Sequence, residues 1–185
     1  MRPIPGIGAF LLPVLVLSFV LGACDGAAGT PLVVIARQTA AAEIESGSQE
    51  LDKLTAVVGD VELVLQVAVT PEERQAGLSG RLGLGPNAGM LFYAGSGSVT
   101  GLWMRGMLFG LDFIWVGADC TVVDLHENVS APSGPDDDLP IYRPEVEAAT
   151  VIEIAAGAVA AAGIMRGDEV RLGPSRSGAA YGCDG

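Results

Sequence analysis

The sequence predicts a mainly β (α+β) domain: a compact, antiparallel-rich, barrel-like or sandwich fold with two short helices. Three observations point there. From Leu51 onward the chain breaks into short β-type runs separated by turn residues, and one of those runs alternates apolar and polar positions. The helical signals are brief and carry their own start and stop residues. About eight such runs in about 120 residues fit a barrel or sandwich.

The elements follow in order. Leu51 to Val58 and Val61 to Val69 meet at Gly59-Asp60, a tight hairpin turn. Val61, Leu63, Leu65, Val67 and Val69 face one way while Glu62 and Gln66 face the other, as in a half-buried strand. Thr70 then suits an N-cap, Pro71 the first helical position, Glu73 the return arm of a capping box and Gly77 the stop. Gly89 to Tyr93, Val99 to Met104, Leu111 to Val116 and Thr121 to Leu125 read as strands, the last two joined by Gly117-Ala118-Asp119. Asn128 to Pro144 holds four prolines and the run Asp136-Asp137-Asp138, and reads as a long surface loop. A strand over Ala148 to Ile154, a helix over Gly157 to Ala162 ended by Gly163, and a strand over Asp168 to Leu172 complete the domain, 51–173. Residues 174–185 carry Ser, Gly and Pro without periodicity and read as a loose tail.

The 185 residues include 22 acidic and 10 basic side chains, a formal charge of −12. That balance opposes binding nucleic acid through phosphates, which needs a Lys/Arg surface. Lys53 and His126 are the only residues of their types, so a multi-histidine metal site is excluded and a Ser-His-Asp triad has one histidine to draw on. Half the residues are apolar and the mean hydropathy is +0.46, which opposes extensive disorder.

Residues 1–23 read as a signal peptide. Arg2 supplies the positive start and Ala9 to Val20 an apolar stretch of twelve residues, short for a membrane span and interrupted by Pro13. Leu21-Gly22-Ala23-Cys24 follows, and small residues before a Cys at this place resemble the lipobox of bacterial lipoproteins. That resemblance implies lipidation of Cys24, a tether over 24–50, and a domain held outside the cytoplasm on the membrane. Cleavage leaves 9 basic and 22 acidic residues, a charge of −13. An anionic chain is repelled by anionic headgroups, so attachment falls to the acyl chains. Cys120 and Cys183 either pair in that oxidising setting or stay two unrelated thiols.

Several segments together resemble a known family: Thr70-Pro71-Glu72-Glu73-Arg74-Gln75-Ala76-Gly77-Leu78, Gly89-Met90-Leu91-Phe92, Leu102-Trp103-Met104-Arg105 with Leu111-Asp112-Phe113-Ile114, His126-Glu127-Asn128, and the ending over 163–172. They resemble the domain of unknown function 192 family across roughly 57–173. The resemblance implies a compact β-rich, barrel-like fold with two short helices; the family has no established activity, so it carries no catalytic residues over. Gly106-Met107 stands where the family usually has Asn-Thr, and Gly110 where it usually has Pro. If that turn belongs to a ligand site, the specificity of this member is altered or lost.

The residues able to carry chemistry are few. His126-Glu127 leaves a strand at a loop, where a His/carboxylate pair can perform acid–base work; the alternative is a His bonded within its own loop. Trp103 and Arg105 share a strand face and can form a stacking and hydrogen-bonding platform for a sugar or carboxylate; the alternative buries Trp103 and pairs Arg105 with Asp112. Met90, Met104 and Met107 read as core filler rather than copper ligands, and the Asp136–Asp138 run lacks the spacing of a calcium loop. No cofactor or metal is expected. The expectation is therefore a membrane-anchored, extracytoplasmic small-ligand-binding or accessory domain, its ligand meeting Trp103, Arg105, Asp112, His126 and Glu127. Two other readings stand beside it: a hydrolase or lyase using His126 and Glu127, and a structural envelope component acting through protein contacts.

Overall fold

The computed structural model describes residues 50–134 and 138–183. The expected signal peptide, Cys24, the tether up to residue 49, Asp136 and Asp137 lie outside the described residues. Among the described residues there are seven strands: β1 (Asp52–Val58), β2 (Val61–Ala68), β3 (Ala88–Tyr93), β4 (Leu111–Val116), β5 (Val122–Val129), β6 (Thr150–Ala155) and β7 (Val170–Leu172). Two helices accompany them, α1 (Pro71–Ala76) and α2 (Ala158–Ala162).

The strands make one curled half-barrel sheet in the order β5-β4-β6-β3-β2-β1-β7. β2 and β3 run parallel and the remaining neighbours antiparallel. The mainly β, antiparallel-rich expectation holds. The two edge strands meet at one end, where Thr121 bridges Glu169 and Val122 N–H donates to the Asp168 carbonyl at 2.9 Å.

α1 forms as its residues dictate. Thr70 Oγ1 accepts the Glu73 N–H at 3.1 Å, and the Glu73 carboxylate accepts the Thr70 N–H at 2.9 Å and the Val69 N–H at 2.8 Å. These backbone donors hold the Glu73 carboxyl below its ordinary range. With no buried residue of its own, α1 owes its formation to this cap and to Arg74, whose guanidinium donates to the carbonyls of Val69 and Tyr93.

Two apolar clusters cover the two sheet faces. The first gathers buried side chains from all seven strands, among them Ala56, Leu65, Leu91, Ile114, Val122, Ile152 and Leu172, which only a curled sheet can bring together. The second joins Met90, Phe92, Phe113, Trp115 and Val151 to Leu78, Met104 and Met107 from the connections. The methionines are core filler, as expected.

Three expectations are corrected. Val99 to Met104 is not a strand: its backbone bonds split between Ala148 and Tyr142, which lie in an irregular stretch and offer no continuous ladder. β5 runs past Leu125 to Val129, so His126-Glu127-Asn128 lies within a strand rather than at its exit. Residues 174–183 are held rather than loose. Cys120 and Cys183 form a disulfide with Cα atoms 5.2 Å apart, Tyr181 is buried in the first cluster, and its hydroxyl donates to Asp52 at 2.7 Å. Composition marked this tail as unstructured because its partners lie more than 60 residues away.

Candidate functional site

A cleft of about 500 Å³ opens over the second cluster, between α1, the 99–107 connection and the 141–143 segment. The connection reaches it through a turn, Met107 N–H donating to the Met104 carbonyl at 3.1 Å. Gly106 stands third in that turn with φ of +66°, a conformation that excludes most side chains, and this puts Arg105 at the tip. Ser79 Oγ donates to the Arg105 carbonyl at 2.6 Å and locks the turn to the end of α1. On the facing side a Cβ on Gly101 would stand 2.7 Å from the Ile141 side chain and 3.1 Å from the Tyr142 carbonyl oxygen, so any larger residue there would push the two walls apart.

Trp103 and Arg105 both line this cleft. Trp103 is 44% exposed and the Arg105 guanidinium lies over its ring at 5.3 Å from the centroid. Neither the burial of Trp103 nor the Arg105–Asp112 pair weighed from the sequence is what forms. The platform is prearranged, and Arg74 and Arg143 line the same cleft.

The other expected residues do not join them. Asp112 is fully buried; Oδ1 accepts the N–H groups of Asn128 at 2.7 Å and Gly157 at 3.1 Å, and Oδ2 accepts Val159 N–H at 2.9 Å. Gly157 cannot cap α2 with a side chain, so Asp112 caps it from β4. Its role is structural. Asp112→Ala should cost about 3 kcal/mol in chemical denaturation by leaving buried donors unpaired; a cost under about 1 kcal/mol would refute that role.

His126 packs against Phe113, Trp115 and Tyr142, and its Nδ1 accepts the Trp115 indole N–H at 2.9 Å. An accepting Nδ1 places the ring proton on Nε2. His126 stands behind the 141–143 wall through Tyr142 and does not line the cleft. The β4–β5 register shifts between Leu111 and Phe113, and within that bulge of β5 Glu127 is exposed. His126 and Glu127 are thus adjacent in sequence without forming a shared site in the cleft.

The floor residue was not anticipated. Glu153 stands at the centre of β6, flanked across the sheet by Met90 and Phe113. It is 4% exposed and lines the cleft, and no described residue hydrogen-bonds its carboxyl. Burial alone pushes that carboxyl up to about 8. The signal was present in the run Thr150 to Ala155, where alternation puts Glu153 on the same face as Val151 in a buried, mostly apolar strand. A lone acid in a buried run is the informative exception to burial of apolar residues.

Among the described residues no three His, Cys, Asp or Glu side chains come together as a metal site, and no helix is long and apolar enough to cross a membrane.

The profile of DUF192, described as "Uncharacterized ACR", matches residues 54–172. No curated protein matches the chain. Two solved structures are similar. One, from Sinorhizobium meliloti 1021 and provisionally called a transcription regulator, is 26% identical with a TM-score of 0.55, covering 65% of this chain and 92% of its own. The other, a protein of unknown function from Novosphingobium aromaticivorans DSM 12444, is 30% identical with a TM-score of 0.54, covering 64% of this chain and 83% of its own.

Proposed function

Because the chain belongs to the uncharacterised DUF192 family, we propose its function from its own side chains: an exported, lipid-anchored domain that binds a small ligand in the Trp103–Arg105 cleft. The observation that carries this reading is the guanidinium-on-indole platform at the mouth of a cleft with an unpartnered carboxyl at its floor. An aromatic face, a fixed cation and a few polar groups in an otherwise apolar concavity are the usual makings of a small-molecule site. The cationic mouth stands out in a chain of charge −12. That charge also opposes binding nucleic acid through its phosphates.

A thermal-shift screen of small carboxylates and sugars against the whole chain tests the binding reading. A binder should raise the midpoint. Trp103→Ala and Arg105→Ala should abolish the rise while changing stability by under about 1 kcal/mol, as exposed substitutions do. Binding retained in both variants would move the site elsewhere.

Export and anchoring rest on Leu21-Gly22-Ala23-Cys24 behind the apolar stretch. Cys24→Ser should shift the protein from the membrane to the soluble fraction, and the mass of the extracted wild type should show loss of residues 1–23 with added diacylglyceryl. A mature N-terminus at another residue would end the lipoprotein reading.

A further inference from the structure

Building on the ligand-binding reading, we infer that the cleft takes a small amphipathic acid: its anionic head at the guanidinium-lined mouth, and a hydrogen-bond acceptor further along its body taking the O–H of Glu153. Glu153 then works as a neutral carboxylic acid, and occupation of the cleft holds its proton in place.

The geometry argues for this in three steps. The Glu153 side chain is buried, no described residue hydrogen-bonds its carboxyl, and the side chains of its cross-strand neighbours Met90 and Phe113 offer neither donor nor acceptor. A polar group in that state is costly unless something else satisfies it. The cleft is the direction left to it, since the residue lines that space.

The charged groups around the cleft then select the partner. α1 contributes Arg74, the 99–107 connection Arg105 and the 141–143 segment Arg143; β5 holds His126 beyond Phe113. Among the described residues, Glu153 is the only acidic one in the lining. Three guanidinium groups disfavour a cationic ligand and favour an anionic head. Leu78, Phe92, Leu102 and Met107 in the walls suit an apolar body between the two ends.

The state of the floor carboxyl follows. Burial favours its neutral form, and a neutral acid can donate one hydrogen bond where a carboxylate can only accept. An ionised Glu153 would face the ligand's acceptor with a full negative charge. Binding therefore weakens as pH rises through about 8.

Fluorescence titration of the whole chain with dansylglycine tests this, since that probe joins a carboxylate head, an aromatic body and sulfonyl acceptors, and its charge is constant above about pH 6. Dansylcadaverine supplies the same body with a cationic end. Dansylglycine should bind, with affinity about thirtyfold weaker at about pH 9.5 than at about pH 6, as expected when only the protonated state is competent. Glu153→Gln should lose the pH dependence, because the amide is a permanent neutral donor. Arg105→Ala combined with Arg143→Ala should weaken binding at least about tenfold at both pH values. Calorimetry of the wild type in two buffers of different ionisation enthalpy gives a readout independent of any variant: binding at about pH 8 should take up about half a proton.

Preferential binding of dansylcadaverine, abolished by Glu153→Gln, would overturn the inference by making the floor a carboxylate that pairs with cations. Binding of dansylglycine without pH dependence or proton uptake would overturn the role of Glu153 while leaving the ligand-binding reading intact. Absence of dansylglycine binding up to about 1 mM would overturn the inference, whereas failure of the ligand-binding reading would show as the absence of any binder in the broader screen.

Discussion

Glu153→Gln should stabilise the domain by up to about 5 kcal/mol above about pH 8, and by almost nothing below about pH 4. The sign follows from proton counts. In the unfolded chain this carboxyl ionises near 4.5, while in the folded domain burial raises it to about 8. Between those values the folded state holds a proton that the unfolded state has released. Rising pH therefore removes stability across that window, at about 1.4 kcal/mol per pH unit. The glutamine variant has no such slope, so the gap between the two proteins opens with pH and levels off. Denaturant titrations at several pH values measure it. Parallel stability profiles for wild type and variant would show that the carboxyl is solvated or paired in the folded protein, and would remove the floor of the proposed site.

Cys120→Ser with Cys183→Ser should destabilise the domain by about 4 kcal/mol, because the bridge closes a loop of 63 residues in the unfolded chain. The local consequence is as specific as the global one. Residues 174–183 stay on the sheet through Tyr181 and through Ser177, whose N–H and hydroxyl donate to Asp52. Those contacts, together with the Tyr181 and Ser177 hydroxyls themselves, hold the Asp52 carboxyl well below the usual carboxylate range. Without the disulfide this strap opens more readily, and limited proteolysis should cut it before the sheet unfolds. A loss under about 1 kcal/mol, with the strap still protected, would assign the tail's order to Tyr181 and Asp52 instead.

Much of this architecture was legible in the order of residues. The hairpin at Gly59-Asp60, the capped helix after Thr70, β3, β4, β6 and the helix stopped by Gly163 came from signals spanning a few positions. Cap, turn and alternation act between near neighbours, so the sequence states them directly. Trp103 and Arg105 were also legible as a pair from their spacing, although the strand expected to align them does not form and the turn at Arg105-Gly106 brings the guanidinium over the ring. The resemblance to an uncharacterised β-rich family was carried by motifs of the same local kind, and the match over 54–172 bears it out.

The composition of the cleft was decided by strand pairing. Asp112 reads locally as a partner for Arg105, yet the sheet carries it to the start of α2, 45 residues along the chain, where backbone donors need an acceptor. His126 and Glu127 adjoin in sequence, and a bulge in β5 separates their surroundings. Glu153 reached the floor because Met90 and Phe113 come to lie on either side of it, in a cross-strand row that runs from Gln66 to His126. Cys120 met Cys183 because the two sheet edges curl toward each other. Chain order by itself determined most of the segments, the cap of α1 and the identity of the exposed platform. Tertiary structure decided which buried carboxyl is capped and which is left unpartnered, because that depends on register between strands far apart in sequence, where no local interaction favours one pairing over another.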